Sequence, residues 1–354
     1  FPDDPRDDRF IVLEVQINVA GARDHDPPAL TLDPHAAKLT LDRALYRACD
    51  FGNRILGFIP SGLVVFEKVH VSLLLCLPAQ LRTPETGGEA TMNILILGSG
   101  GREHALAWAV MQNPKCDRLI VAPGNAGIAG VAECAALDIM NPDTVVDFAQ
   151  AQSIDFVIVG PEDPLAAGVA DALRSAGILC FGPSAAAARL EASKSFTKEI
   201  CDAANAPTAG YAHFTNLEAA KAYVREQGAP IVIKADGLAA GKGVVVAMEL
   251  QDALDALDDM LGGAFGAAGA EVVIEEFMEG EEASYFVLSD GKTVLPIGTA
   301  QDHKRAYDGD EGPNTGGMGA YSPAPVLSDD IAAKAITEIV QPTIDEMAKR
   351  GTPY

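Results

Sequence analysis

The sequence predicts an α/β fold in which a parallel α/β domain is followed by a domain of α+β type. Short apolar and β-branched runs at 118–122, 155–160 and 177–182 alternate with helical segments, as in a parallel sheet covered by helices. From about Lys194 the order changes to two helical segments followed by strands with alternating polar and apolar residues. With 48% hydrophobic and 21% charged residues, a chain of 354 residues can bury a core in each domain.

The first domain is predicted to begin at Met92. The stretch "MNILILGSGGREHALAWAV" is typical of a buried strand, a glycine turn and a helix that carries one apolar face. Further helical segments are predicted at 142–152 and 164–176, between the strands. The second domain is predicted to contain helices over 194–205 and 218–228, strands on either side of a glycine-rich loop, and an antiparallel pattern over 271–298.

Residues 1–91 differ in character from the rest of the chain. All eight methionines lie at or after Met92, and the first 91 residues show no clear alternation of strand and helix patterns. We favour an upstream stretch, spurious or disordered, attached to a protein that starts at Met92. An additional domain is the alternative.

Charge and cysteine usage exclude several classes of function. A net charge of -24 argues against a nucleic-acid binder, which needs a basic face. Six cysteines without C-x-x-C spacing fit free thiols in a reducing cytoplasm, and no zinc site is indicated. The most apolar run, 61–81, is interrupted by Glu67, Lys68 and His70, so no membrane helix is predicted.

The glycine turn at 98–101 follows a strand and precedes a helix, where backbone N–H groups attract an anion. A dinucleotide fingerprint would need a glycine where Glu103 stands. The turn therefore indicates a phosphate site more than an NAD site. A tight turn without a ligand is the alternative.

The loop in "IVIKADGLAAGKGVVVA", residues 231–247, fails the P-loop pattern. Gly237 and Gly241 enclose three residues instead of four, and Lys242 is followed by Gly243 instead of Ser or Thr. Because the loop joins two strands, we expect a flap that folds over phosphates, with Lys234 beneath it and Lys242 closing from above. An exposed turn is the alternative.

Two later stretches complete the candidate site. "EEFMEGEEAS", from Glu275, suggests a nucleotide hinge in which backbone groups meet an adenine and a following carboxylate binds ribose; a solvated acidic edge is the alternative. "AQDHKRAYDGDEGPNTGGMGAYSP", residues 300–323, places Arg305 before a glycine-rich loop. Arginine there suits bidentate recognition of a carboxylate or phosphate.

From Met92 to Tyr354 the chain resembles the phosphoribosylamine–glycine ligase family of ATP-grasp enzymes. The blocks that carry the resemblance stand in order: "GSGGREHALAW", "VAPGNAG", "VGPEDPLAAG", "CFGPSAAAARLEASKSFTK", "IKADGLAAGKGV", "EEFMEGEEAS" and "QDHKRAYDGDEGPNTGGMGAYSPAP". The resemblance implies a Rossmann-like pre-ATP-grasp domain at 92–193 and an ATP-grasp domain at 194–354, C-terminally truncated, with a lid at about 213–280. Residues 1–91 match nothing in the family.

The resemblance implies ATP-dependent ligation of glycine to 5-phosphoribosylamine, giving glycinamide ribonucleotide, ADP and phosphate through a glycyl phosphate. It also implies a cytoplasmic monomer of purine biosynthesis that acts on small molecules and binds neither nucleic acid nor membrane. Another ATP-grasp carboxylate–amine ligase and a non-catalytic nucleotide-binding module are the alternatives.

The family's site residues carry over by position. The nucleotide is expected at Lys194, Lys234, Gly237, Gly241, Lys242, Gly243, Glu275, Glu276, Phe277, Met278 and Glu282. Arg305, Asn314 and Lys234 are the expected catalytic residues. Phosphoribosylamine is expected at Gly100, Gly101, Arg102, Glu103, Asp302, Lys304, Gly316, Gly317 and Met318. The family holds Mg²⁺ (or Mn²⁺) with a Glu and an Asn that are expected beyond Tyr354, so we expect the chain to be an incomplete, inactive fragment.

Overall fold

A computed structural model describes residues 11–19, 91–237, 243–264, 270–303, 305–309, 311–314 and 319–354. At 11–19, 263–264, 311, 313 and 314 it describes the backbone alone. Several expected site residues lie outside the described residues: Gly241, Lys242, Lys304, Gly316, Gly317 and Met318.

The first domain is a parallel sheet with helices on both faces. Its strands are β2 (Met92–Gly98), β3 (Cys116–Pro123), β4 (Glu133–Cys134), β5 (Phe156–Val159) and β6 (Leu179–Phe181), in the order β4-β3-β2-β5-β6. The helices are α1 (Gly101–Val110), α2 (Pro142–Ala151), α3 (Glu162–Ala166), α4 (Val169–Ser175) and α5 (Ala185–Ala192). The predicted parallel α/β domain is confirmed.

Strand β2 shows why both faces are covered. Leu95 and Leu97 pack in one buried cluster with α2 and α4, whereas Ile94 and Ile96 pack in another with α1. Because successive side chains point to opposite faces of a strand, a strand buried on both sides needs an unbroken apolar run.

The segment 164–176, predicted as one helix, is two. Gly168 has φ of +90°, a left-handed conformation that ends α3 before α4 begins. The prediction of a continuous helix was wrong there because the glycine breaks it.

The second domain begins with α6 (Lys194–Ala204) and contains two antiparallel sheets. The smaller sheet has the order β7-β10-β8-β9 and is covered by α7 (Leu217–Gln227) and α8 (Leu250–Asp259). Its strands are β7 (Tyr211–Phe214), β8 (Ile231–Ala235), β9 (Val244–Ala247) and β10 (Val272–Glu276). A short π-helical turn, Met260–Ala264, follows α8.

The larger sheet has the order β1-β11-β12-β15, and β13 pairs with β14 beside it. Its strands are β1 (Ile11–Val19), β11 (Glu281–Ser289), β12 (Val294–Asp302) and β15 (Ala320–Tyr321), and the neighbouring pair is β13 (Arg305–Tyr307) with β14 (Glu311–Asn314). The chain then forms α9 (Asp329–Ala335), the π-helical turn Ile336–Val340 and α10 (Gln341–Lys349). The antiparallel pattern predicted over 271–298 is thus split, because β10 belongs to the smaller sheet.

Strand β1 was not predicted. It pairs antiparallel with β11 over its full length, with Ile11 opposite Ser289 and Val19 opposite Glu281. Whether residues 1–91 form a domain stays untested, but nine of them complete one edge of the larger sheet.

Candidate functional site

Lys194 lies at the start of α6 and contacts Asp236 and Gly237, the base of the glycine-rich loop that is expected to act as a flap. Its Nζ is 3.2 Å from the carbonyl oxygen of Gly237 and 3.4 Å from that of Asp236. Burial lowers the pKa of Lys194 below its usual 10.5; the neighbouring Lys234 lowers it further, and Asp236 partly offsets both. A partly desolvated ammonium held by carbonyls is suited to bind an anion, which would restore its lost solvation.

Asp236 fastens the base of the flap to α6. Its carboxylate accepts a hydrogen bond from the backbone N–H of Ser195 at 2.7 Å and one from the Ser193 hydroxyl at 3.1 Å. Ser193 is also the N-cap of α6. At the other end of the flap, the Ala235 N–H donates to the Gly243 carbonyl at 2.8 Å. The described ends of the loop are therefore fixed on both strands.

Lys234 lies on the face of β8 that is turned away from the helices of the smaller sheet. Ile231, Ile233 and Ala235 are buried against α7 and α8, so the alternation of the strand directs Lys234 to the opposite face. There its Nζ forms an ion pair of 2.7 Å with Glu275 Oε2. The expected role of Lys234 beneath a flap stays a prediction, because residues 238–242 of the loop lie outside the described residues.

The hinge after β10 is held by its own backbone and one carboxylate. Glu276 donates its N–H to the Gly210 carbonyl at 2.9 Å, and its carboxylate accepts from the Gly210 N–H at 2.8 Å. Phe277 is half-buried, Met278 is exposed, and Glu282 is exposed near the start of β11. The Glu276 side chain thus forms a hydrogen bond within the protein, whereas Met278 and Glu282 are exposed at the surface, and their role in binding nucleotide stays a prediction.

The two other expected catalytic residues are neighbours. Arg305 in β13 stands directly opposite Asn314 in β14. Arg305 is half-buried, and Asp302, at the end of β12, is exposed. Strand β12 ends at Asp302, just before β13, and β13 and β14 form a two-stranded sheet of their own.

The glycine turn of the first domain is built around Glu103. The side chain is only 3% exposed and accepts from the Gly100 N–H at 2.7 Å and from Arg102 Nε at 2.8 Å. A Cβ at Gly98 or Gly160 would collide with it. Gly100, Gly101 and Arg102 are exposed at this turn, but the Glu103 carboxylate is turned inward. Its expected contact with substrate stays a prediction that this burial does not favour.

Within the described residues, no group of three or more His, Cys, Asp or Glu side chains is arranged to hold a metal ion. None of the helices in that part of the chain has the length and hydropathy needed to cross a bilayer. The cysteines that the structure describes there, Cys116, Cys134, Cys180 and Cys201, are free thiols.

Comparison with known proteins decides the family. A sequence-family model described as "Phosphoribosylglycinamide synthetase, N domain" matches residues 92–191, and one described as "Phosphoribosylglycinamide synthetase, ATP-grasp (A) domain" matches residues 192–354. Residues 92–354 belong to the phosphoribosylamine–glycine ligase family. The enzyme of that name from Brucella melitensis is 59% identical over 263 residues, which are 74% of this chain and 62% of that protein.

The solved structures agree with the fold. Phosphoribosylamine–glycine ligase from Thermotoga maritima matches with a TM-score of 0.63 and 29% identity over 74% of this chain and 63% of that one. The biotin carboxylase domain of a Hydrogenobacter thermophilus 2-oxoglutarate carboxylase, solved with ADP and magnesium, matches with a TM-score of 0.55. At 15% identity and coverage of 72% and 58%, the second shows the ATP-grasp fold alone. The chain spans about 62% of the length of the curated ligases that it matches.

Sequence reasoning missed three residues of the ligase fold that support the expected site: Ser193, Lys198 and Asp236. A serine before a helical run is a common N-cap signal, and Lys198 repeats Lys194 after four residues, on the same helix face. Neither signal names the partner across the fold, which is why the contacts of these residues emerge only from the structure.

Proposed function

We propose that the protein to which residues 92–354 correspond joins glycine to 5-phosphoribosylamine with consumption of ATP. The observation that carries this is a pair of ammonium groups beside the start of the glycine-rich loop: Lys194, which contacts the Gly237 carbonyl, and Lys234, on the strand that leads into the loop. Two cations in a partly dehydrated site suit a polyphosphate, and the sequence identity to phosphoribosylamine–glycine ligases supports the choice of substrates.

The proposed reaction has two steps. A glycine carboxylate oxygen attacks the γ-phosphorus of ATP, forming glycyl phosphate and releasing ADP. The amine of 5-phosphoribosylamine then attacks the acyl carbon, forming the amide and releasing phosphate and a proton. No protein nucleophile is needed, because positioning and neutralisation of charge carry such transfers. Lys194 and Lys234 would hold the phosphates, Glu275–Met278 the adenine, Glu282 the ribose, and Arg305 the reacting phosphoryl group.

The remaining assignments are also proposals. Gly237, Gly241, Lys242 and Gly243 would close over the phosphates, and Asn314 would act with Arg305. The turn at 100–103 and the loop around Asp302, Lys304 and Gly316–Met318 would bind phosphoribosylamine. Mg²⁺ or Mn²⁺ would be the metal cofactor of the whole protein. Since the described residues provide no fitting ligand group, we derive no step through the metal. The proposal also includes that the whole protein is a monomer in the cytoplasm.

The test uses ADP release and nucleotide binding side by side. The full-length protein is expected to release ADP only when both glycine and freshly prepared 5-phosphoribosylamine are present, and not when glycine is replaced by other amino acids. The 354-residue chain is expected to bind ATP without turnover. ADP release with a different amino acid would favour another ligase, and binding without turnover by both proteins would favour a non-catalytic nucleotide module.

A further inference from the structure

A largely buried ion triad joins α6 to strands β8 and β10, and it contains one lysine that the proposed chemistry does not use. Glu275 Oε1 is 3.3 Å from the Nζ of Lys198, and Glu275 Oε2 is 2.7 Å from the Nζ of Lys234. The side chains of Lys198 and Glu275 are 7% and 9% exposed, whereas that of Lys234 is 27% exposed. One carboxylate thus joins a hidden cation to an accessible one.

Lys198 is fixed by three partners. Its ammonium donates to the Thr208 hydroxyl at 2.8 Å and to the Ala209 carbonyl at 3.0 Å, in addition to facing Glu275. The Nζ also lies 5.1 Å from the centre of the Tyr211 ring. A lysine has three N–H donors, and three partners are present, so no donor is left for a ligand. Lys198 is therefore placed to support the site and not to bind phosphate.

The position of Lys198 follows from α6. Lys194 and Lys198 are four residues apart and share one face of the helix. Lys194 contacts Gly237 at the start of the glycine-rich loop, and Lys198, one turn later, contacts Glu275 on β10. The helix thus places two ammonium groups in the same region: that of Lys194, which contacts the loop, and that of Lys198, which is buried against Glu275.

Resting on the function proposed above, we propose that Lys198 is a positioning residue that acts on Lys234 through Glu275. ATP phosphates and Glu275 compete for the Lys234 ammonium, which cannot satisfy both fully. By engaging one carboxylate oxygen and neutralising the buried charge, Lys198 holds Glu275 in place and limits its attraction for Lys234. Without Lys198, Lys234 is the remaining ion-pair partner of the Glu275 carboxylate, and its ammonium is withdrawn from the phosphates.

The experiment compares ATP with adenosine, which shares the base and ribose but lacks phosphates. Calorimetric titration of the 354-residue chain is expected to show that Lys198→Met binds ATP about tenfold more weakly than the wild type and binds adenosine equally well. A tenfold loss corresponds to the energy of about one charge-assisted hydrogen bond. Lys198→Arg, which restores the charge, is expected to recover most of the ATP affinity. The control is Lys221→Met, which removes another lysine of this domain, paired with Asp258 at 2.5 Å, and is expected to change neither affinity.

The outcomes separate this inference from the proposed function. If the wild-type chain binds neither ligand, the nucleotide site itself is refuted. If it binds ATP and Lys198→Met leaves the ratio of ATP to adenosine affinity unchanged, the positioning role alone is refuted. Should Lys198→Met fail to fold, Thr208→Val removes one of the bonds that fix Lys198 and keeps the charge; it is expected to weaken ATP binding selectively, and an unchanged ratio there overturns the inference.

Discussion

Replacing Glu103 by alanine separates two roles that this residue could have at the glycine turn. Its buried carboxylate accepts the Gly100 N–H at 2.7 Å, and such a bond to a charged acceptor contributes about 1.5–3 kcal/mol. The bond from Arg102 adds less than about 1 kcal/mol because Arg102 is largely exposed. The substitution also leaves a cavity. Together with the lost hydrogen bonds, this cavity is expected to make Glu103→Ala lower the free energy of unfolding by about 2–4 kcal/mol.

Urea unfolding followed by tryptophan fluorescence measures this loss directly. The single tryptophan, Trp108, lies in α1, the helix that Glu103 caps. A loss of this size is expected to lower the midpoint by about 1 M urea. The control is Glu162→Ala, which removes the exposed partner of Arg102 at 3.8 Å and is expected to change stability by less than about 0.5 kcal/mol. An unchanged midpoint for Glu103→Ala together with weaker binding of phosphoribosylamine would refute the structural role and favour the substrate contact.

Three further predictions test other parts of the fold. The double substitution Val15→Pro with Gln16→Pro is expected to speed hydrogen exchange of β11 amides, because one of two adjacent residues in an antiparallel strand must donate to its partner; unchanged exchange would show that β1 does not pair there. Burial lowers the pKa of Lys194, so the unfolded chain binds this proton more tightly, and stability rises as the pH increases from the folded-state pKa to 10.5. Lys194→Met is expected to stabilise the chain to urea at neutral pH, and this advantage over the wild type is expected to shrink as the pH rises toward 10.5; an advantage that does not change with pH would contradict the lowered pKa of Lys194. Gly168→Ala, at φ +90°, is expected to cost about 1 kcal/mol in the same assay, and a stabilised variant would contradict the left-handed conformation.

The parallel domain was predictable because its central strands, β2 and β5, are runs of apolar residues that are buried over most of their length. Continuous apolar runs such as that from Ile94 to Leu97 have few other folded solutions in a chain of this composition. The break at Gly168 was harder to predict, since a glycine in an apolar helical pattern either is tolerated or ends the helix. The packing of the residues that follow Gly168 decides between the two outcomes, and the local hydrophobic periodicity carries no information about that packing.

The second domain shows where local patterns stop being informative. Strands β10 and β11 are separated by four residues, yet they belong to different sheets, and nothing in the alternation of 271–298 marks the change. Strand β1 had a usable signal: apolar residues at Ile11, Leu13, Val15, Ile17 and Val19 alternate over the whole strand. It was outweighed by the irregular character of the stretch around it. Pairing with β11 is a long-range contact that no local pattern specifies.

The contacts around the glycine-rich stretch 231–247 show why it would not bind a phosphate in the way a P-loop does. A P-loop gives its phosphate the free N–H groups at a helix N-terminus. Helix α6, whose start contacts Asp236 and Gly237 at the base of this loop, already uses its first N–H groups on the Ser193 hydroxyl and the Asp236 carboxylate. That carboxylate also places a negative charge at the helix N-terminus, where an incoming phosphate would be repelled. A phosphate bound near the start of α6 would therefore depend on ammonium groups, and the structure offers Lys194 on this helix and Lys234 on strand β8.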